Sequence, residues 1–349
     1  MKGGFKTKRD AERAFAEFRD QVRTGTYVPR SKGTLGEFLV NEWLPAIIAS
    51  VRPTTLDHYE QNIRVHVLPT IGSVRLQDVS PAKLNALYAE LLTSGRCRGG
   101  GLSPKTVRHV HTTLHKALND AVRWGLLVRN PADQADPPKP RTAEMKVWGP
   151  EQLRAFLDFV RDDRLYGAWL LLATTGMRRG EVLGLRWRDV HLDVSRLSVV
   201  QSLTVTKYEV AVSEPKTAKG RRSVALDHAT VAALHAHRRM QLEERLAWGE
   251  AWQDTGYVFT REDGSLIHPH RFTAWFDRLR DAAGLPRIRL HDLRHSYASA
   301  ALTAGIPAKV VSERLGHANV SITLDTYSHV LPSLQEEAAG VVARLILGE

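Results

Sequence analysis

The chain has 349 residues, enough for two or three domains with substantial cores. Hydrophobic residues make up 43% and charged residues 25%, which excludes global disorder. The uncharged, largely apolar stretch Leu165 to Met177 is shorter than the roughly 18 apolar residues a membrane helix needs. The single cysteine, Cys97, excludes an intrachain disulfide and a four-cysteine zinc site. The basic start MKGGFKTKRD has no apolar run behind it, so a cytoplasmic protein without a secretory signal is expected. Lys and Arg number 49 against 38 Asp and Glu, and the resulting charge of +11 favours a polyanionic partner such as nucleic acid.

Residues 1–33 form a basic segment in which Lys2, Lys6, Lys8 and Arg9 are expected to reach DNA phosphates. Segments 35–48, 54–66, 81–93 and 104–123 then carry apolar residues at helical spacing. Ser80-Pro81 and Ser103-Pro104 place serine at the N-cap and proline at the first helical position, so residues 34–130 read as an all-helical domain. Pro45 predicts a kink or an early stop. Pro131, Pro137, Pro138 and Pro140 predict an irregular linker over 131–147.

Helices are expected next over 150–161, 165–175 and 179–186, followed by strands in RLSVVQSL, EVAV and RSVAL. Further helices are expected over 228–247, 269–283, 290–304, 307–315, 319–328 and 333–347, with a short strand YVFT at 257–260. Residues 148–335 thus read as an α+β domain with one small antiparallel sheet, followed by a tail at 336–349. The fold class is mostly α with a small antiparallel sheet.

Four polar constellations stand out in that second domain. In TGMRRGEVLGLRW, Arg178 and Glu181 are three apart at a helix start, where the carboxylate can brace the guanidinium. PKTAKGRRSVAL is a basic turn that clusters Lys216, Lys219, Arg221 and Arg222 between strand-like runs, with Arg221 and Arg222 expected to touch DNA. LHDLRHSYASAAL puts His291 and Arg294 on one helix face and His295 four residues after His291. A zinc protease needs H-E-x-x-H, whereas Asp292 stands in the place of Glu and a third ligand is not evident, so no metal is expected. LGHANVSITLDTYSHV adds His317 and, ten residues later, Tyr327. Singly, each has a plain alternative: a solvated arginine, a charged hairpin, a packed tyrosine.

In this order the four resemble the tyrosine recombinase (phage integrase) family, whose pattern is Arg, Lys, His-x-x-Arg, His or Trp, then Tyr. The resemblance covers residues 34–335, with TTLDHYEQNIRVHVLPTIG in the helical part. It implies an all-helical core-binding (SAM-like) domain followed by an α+β tyrosine recombinase catalytic domain. Residues 3–28 resemble the end of an arm-type DNA-binding domain of actinobacterial and phage integrases. Arg178 matches the first arginine of T-G-x-R-x-x-E, Lys216 the lysine of P-K-T, His291 and Arg294 the H-x-x-R pair, His317 the histidine of L-G-H, and Tyr327 the nucleophile.

Two arginine forks suit the nonbridging oxygens of a phosphodiester under attack, with His317 as a further donor. Tyr327 needs a base, and His291 is the expected one; Lys216 would protonate the leaving 5′ oxygen. Glu181 and Asp292 are expected to brace the site. A 3′-phosphotyrosyl link stores the bond energy, so no cofactor is expected. The resemblance further implies two double-stranded DNA attachment sites, a homotetramer on DNA, a directionality factor and a host DNA-bending protein as partners, and a nucleoid-associated location in bacteria. The rivals are a cellular chromosome-dimer resolvase, which usually lacks the basic segment, a type IB topoisomerase, which lacks the helical domain, and an inactive DNA-binding regulator.

Overall fold

A computed structural model describes residues 7–23, 27–96, 99–140, 145–207, 209–214, 220–327 and 343–348. The chain divides into two compact units, Met1–Ala143 and Glu144–Glu349. Among the described residues no helix is long and apolar enough to cross a membrane.

The first unit is helical. Helix α1 (Lys8–Arg23) carries exposed Phe15 and Phe18. Leu35–Glu37, Phe38–Trp43 and Leu44–Ile47 run on as one helix, α2, opened by a reciprocal cap in which Thr34 and Glu37 bond each other's backbone amides. Its middle segment is a π turn, and of the kink or early stop that Pro45 predicts, the early stop does not occur. A proline ring clashes with the carbonyl four residues back. In the widened turn Leu44 N–H instead reaches Leu39 O, five residues back, and the helix continues through the proline. The device recurs in α3, formed by Pro53–Gln61, Asn62–Val67 and Leu68–Ile71, where Leu68 N–H bonds Ile63 O just before Pro69. That helix outruns the expected 54–66 for the same reason.

Helices α4 (Pro81–Ser94) and α5 (Pro104–Arg123) are capped by the Ser80 and Ser103 side chains, as their Ser-Pro starts predict. Trp43, Leu84, Tyr88, Val107, Leu114 and Leu118 are buried at their centre. The proline-rich stretch begins as part of this unit and not as free linker. Pro131–Gln134 is a 3₁₀ turn capped by the Asn130 side chain, Pro131 and Ala132 are buried, and Asp136 N–H bonds Asn85.

The second unit opens with buried Trp148, then α6 (Pro150–Phe159), α7 (Tyr166–Thr175) and α8 (Arg179–Leu183). Helix α8 ends short of the expected 186, at Leu183 with Gly184 as its cap, and it lies tight against the following strands: a Cβ on Gly180 would meet Leu203 O at 2.4 Å. The strands are β1 (Val190–His191), β2 (Arg196–Val199), β3 (Ser202–Thr206), β4 (Glu209–Ser213) and β5 (Arg222–Ala225). Among the described residues they form two antiparallel sheets and not one, in orders β1-β2-β5 and β3-β4, with Leu197 opposite Val224 and Leu203 opposite Val212. The expected strand at 257–260 is present only as isolated bridges, Arg186 to Tyr257 and Thr260 to Leu266.

Helices α9 (His228–Trp248), α10 (Pro269–Ala282), α11 (Asp292–Thr303), α12 (Ala308–Leu315) and α13 (Val320–Tyr327) follow. Trp148, Phe156, Trp169, Phe272 and Phe276 form its aromatic centre, with Trp169 stacked on Phe272 at 4.3 Å. A smaller core of Ala298, Leu302, Val311, Leu315 and Tyr327 joins α11, α12 and α13. Of the expected tail helix at 333–347, residues 343–347 are helical and the rest lies outside the described residues.

Candidate active site

Helix α7 closes on Gly176 in the left-handed conformation, φ +64°, which glycine adopts without penalty. The turn delivers Arg178 to the N-cap of α8. There its backbone N–H and its guanidinium both donate to Glu181, at 2.9 and 2.7 Å. Glu181 is buried and also receives two bonds from Arg222 of β5, at 3.2 and 2.8 Å. Burial would push the Glu181 carboxyl up, but the Arg222 and Arg178 guanidiniums outweigh it and pull it down to about 2. This carboxylate is a fixed anion between two arginines.

Arg294 lies on α11 and is buried. Its two terminal nitrogens donate to the backbone carbonyls of Gly176 and Leu315, at 2.8 and 2.7 Å, so it spans the ends of α7 and α12. Burial, and then Arg178 and Arg222, disfavour its charge. Arg178 and Arg222 pair with the one buried carboxylate and Arg294 adds a third guanidinium charge that the carboxylate influences without a bond, so the surplus suits an incoming anion. Arg178 presents the accessible face, with 41% of its side chain exposed.

His291 is the N-cap residue of α11 and is exposed. Partial loss of hydration around the ring, then His295, Arg294 and Arg178, pull it down to about 4. His317 follows Gly316, the left-handed cap of α12, and its Nδ1 pairs with the Thr323 hydroxyl at 2.8 Å. Burial, then Arg294 and Arg178, bring it to about 4 as well. Both imidazoles are neutral at pH 7. Tyr327, last residue of α13, is 1% exposed, and its hydroxyl lies 2.7 Å from His295 Nδ1. Burial pushes the phenol up to about 12, against the pull of Arg294.

Arg178, Glu181, His291, Arg294, His317 and Tyr327 therefore come together at the junction of α8, α11, α12 and α13. Four expectations change or pass out of view. Arg222 is not a free DNA contact: its side chain is 7% exposed and its nitrogens are taken by Glu181, Gly220 O and Arg314 O, because Glu181 needs a second cation. Asp292 braces Arg289, in bonds of 2.7 to 3.2 Å, and not an arginine of the site. The imidazole on the Tyr327 hydroxyl is that of His295 and not that of His291. Lys216 and Lys219 lie outside the described residues, as do Lys2 and Lys6. Arg221 is exposed and pairs with Glu214 at 2.9 Å; Lys8 and Arg9 are exposed on α1.

Sequence reasoning missed His295, Thr323 and the inward role of Arg222. His295 is visible as the i+4 partner of His291, a spacing that by itself points to a metal pair and not to a contact with a distant tyrosine. Thr323 had a signal too, six residues after His317, once α12 and α13 were known to be joined by a short turn.

The model of the phage integrase family matches residues 146–333, and that of the phage integrase N-terminal SAM-like domain matches residues 34–92. The chain belongs to the phage integrase family. Its second unit carries the catalytic domain of a tyrosine-type site-specific recombinase, and the activity is site-specific recombination of the phage and mobile-element integrase kind. A tyrosine recombinase XerC-like protein of Caldanaerobacter subterraneus subsp. tengcongensis is 30% identical over 98% of this chain and 91% of its own length. An integrase of Streptomyces ambofaciens is 26% identical over 97% of this chain and 87% of its own. Among solved structures, the Tn1549 transposon integrase in complex with transposon right end DNA shares the fold, with a TM-score of 0.71 and 22% identity over 88% of this chain and 99% of that one.

Proposed function

We propose that Tyr327 is the nucleophile that cuts one DNA strand and forms a 3′-phosphotyrosyl link. The observation that carries this is the seating of its hydroxyl against an imidazole beside a surplus of guanidinium charge. Arg178 and Arg294 hold the nonbridging oxygens, and His317 donates from Nε2 while its Nδ1 accepts from the Thr323 hydroxyl. Lys216 protonates the 5′ oxygen as it leaves. His291, neutral and exposed, adds a second imidazole to the phosphate. Glu181 and Arg222 keep Arg178 in place and do not touch DNA. Because the phosphotyrosyl link conserves the bond energy, religation to a second strand needs neither nucleotide nor metal.

Two duplexes exchange four strands, and each cut uses one tyrosine, so the working assembly on two attachment sites is a homotetramer. The basic segment at residues 1–33 adds phosphate contacts through Lys2, Lys6, Lys8 and Arg9. That segment, with its likeness to an arm-type domain over 3–28, favours an integrase of actinobacterial or actinophage type. The identity to the XerC-like protein supports the second reading, a cellular resolvase.

The test is a nicked suicide duplex of the element's attachment site. The wild-type protein should trap itself covalently at the 3′ phosphate in excess chelator, and Tyr327→Phe should bind the duplex but form no adduct. An adduct formed by the Phe variant would refute the nucleophile.

A further inference from the structure

We propose that His295 is a further catalytic residue of this chain, the group that takes the proton of the Tyr327 hydroxyl as it attacks phosphorus. The proposal rests on the reading of Tyr327 as the nucleophile. Its basis is geometric: Nδ1 lies 2.7 Å from the hydroxyl oxygen, the ring centroids are 5.8 Å apart, and among the described residues no other side chain hydrogen-bonds that oxygen. Tyr327 is 1% exposed, so bulk water is not a ready acceptor. His291 meets the ring of His295 edge-on, at 5.2 Å between centroids, and makes no hydrogen bond to the hydroxyl among the described residues.

The protonation states fit the role. The phenol holds its proton, being pushed up by burial, while burial keeps the His295 imidazole neutral. The hydroxyl therefore donates to Nδ1, and His295 carries its own proton on Nε2. When the phosphodiester enters, its charge offsets the arginines that oppose a cation at His295. The Asp292 carboxylate, one turn back on α11, also favours the imidazolium.

The step then balances. The phenolic O–H bond breaks and the proton passes to His295 Nδ1, the Oη–P bond forms, and the P–O5′ bond breaks. The leaving oxygen takes its proton from the Lys216 ammonium. Religation runs the same transfers in reverse, with the 5′ hydroxyl as nucleophile and the imidazolium returning the proton to the tyrosine.

His295→Asn separates a base from a positioning group, because the Asn Oδ1 falls near the place of Nδ1 and accepts the same hydrogen bond without basicity. The probe is a suicide duplex nicked beside the cleavage position that wild-type protein itself marks. We expect His295→Asn to cleave it roughly 10²- to 10⁴-fold more slowly in single turnover, the usual range for a lost general base. Its rate should climb with pH where the wild-type rate levels off, and duplex binding should be unchanged. His291→Asn should keep the wild-type pH profile. A His295→Asn variant with wild-type rate and profile, or transfer of the altered profile to His291→Asn, would overturn the assignment.

A second measurement does not depend on the variants folding. In wild-type protein with ¹⁵N-labelled histidine, His295 Nδ1 should appear as an unprotonated acceptor, and a proton on Nδ1 would overturn the proposal. Failure of the nucleophile reading looks different, since wild-type protein would then form no adduct or Tyr327→Phe would retain it.

Discussion

The two halves of the site are held in opposite ways. On the arginine side, Glu181 is buried between Arg178 and Arg222, and Arg294 ties two backbone carbonyls from different helix ends. Arg222 and Arg294 are each fixed by two or more guanidinium bonds, and Arg178 by its guanidinium and its backbone amide together. On the tyrosine side, Tyr327 and His317 are each held by one side-chain bond, to His295 and to Thr323. The difference follows the chemistry. A clamp for developing phosphate charge gains from being in place beforehand, because it then reorganises nothing during the reaction. A nucleophile that starts buried, with its proton engaged, must be able to let go.

If this contrast is real, the largest effect should come from the centre of the arginine side. Glu181→Ala leaves Arg222 buried without its carboxylate, and breaking such a pair costs about 3–5 kcal/mol. A fall in melting temperature together with loss of cleavage is expected, measured by calorimetry and by trapping on the suicide duplex. The pH dependence has a defined sign. The folded carboxyl sits at about 2 against an ordinary value of 4.5, so its stabilisation is complete above about 4.5 and is lost as pH falls toward 2. Glu181→Gln should flatten the melting temperature against pH in that window. An unaltered slope would mean that Glu181 is not the anion holding the arginines.

Arg178→Ala and Arg294→Ala sharpen the comparison within the arginine side. Each should lower cleavage by roughly 10²- to 10³-fold, the usual cost of one lost oxyanion donor. Only Arg294→Ala should also lower stability, by about 1–3 kcal/mol, because it strips a buried partner from Gly176 O and Leu315 O. Equal melting temperatures for the two variants would contradict the buried-strut description.

The same division marks what the sequence made legible. Arg178, Glu181, His291, Arg294, His317 and Tyr327 could be read because each sits in a local pattern, and the Ser-Pro starts of α4 and α5 announce their own caps. Arg222 was misread because its partner is 41 positions away, and a basic turn looks the same whether its arginines point out or in. His295 was missed because its partner, Tyr327, is 32 positions away on another helix. The division into two sheets depends on which strand β2 pairs with, and strand propensity does not specify that. The early stop allowed at Pro45 does not occur, because a π turn, set by backbone geometry five residues back, leaves no compositional mark.

The smallest expected effect tests the tyrosine side at its outer member. For His317 to donate to phosphate from Nε2, its Nδ1 must accept, so the Thr323 hydroxyl must be the donor of the 2.8 Å bond. Thr323 is fully buried, and valine fills nearly the same volume without the hydroxyl. Thr323→Val should therefore leave the fold in place and free His317 to adopt the other tautomer, with Nε2 as an acceptor facing an anion. Losing one neutral hydrogen bond is worth about 1 kcal/mol, so cleavage should slow by roughly fivefold, and Thr323→Ser should restore it. The His317→Ala change should cost more and should gain nothing from either substitution at 323. If Thr323→Val cleaves at the wild-type rate, the ring is oriented by something else; if Thr323→Val and His317→Ala are equally slow, the single bond to Thr323 is as decisive as the paired bonds on the arginine side and the contrast between the halves fails.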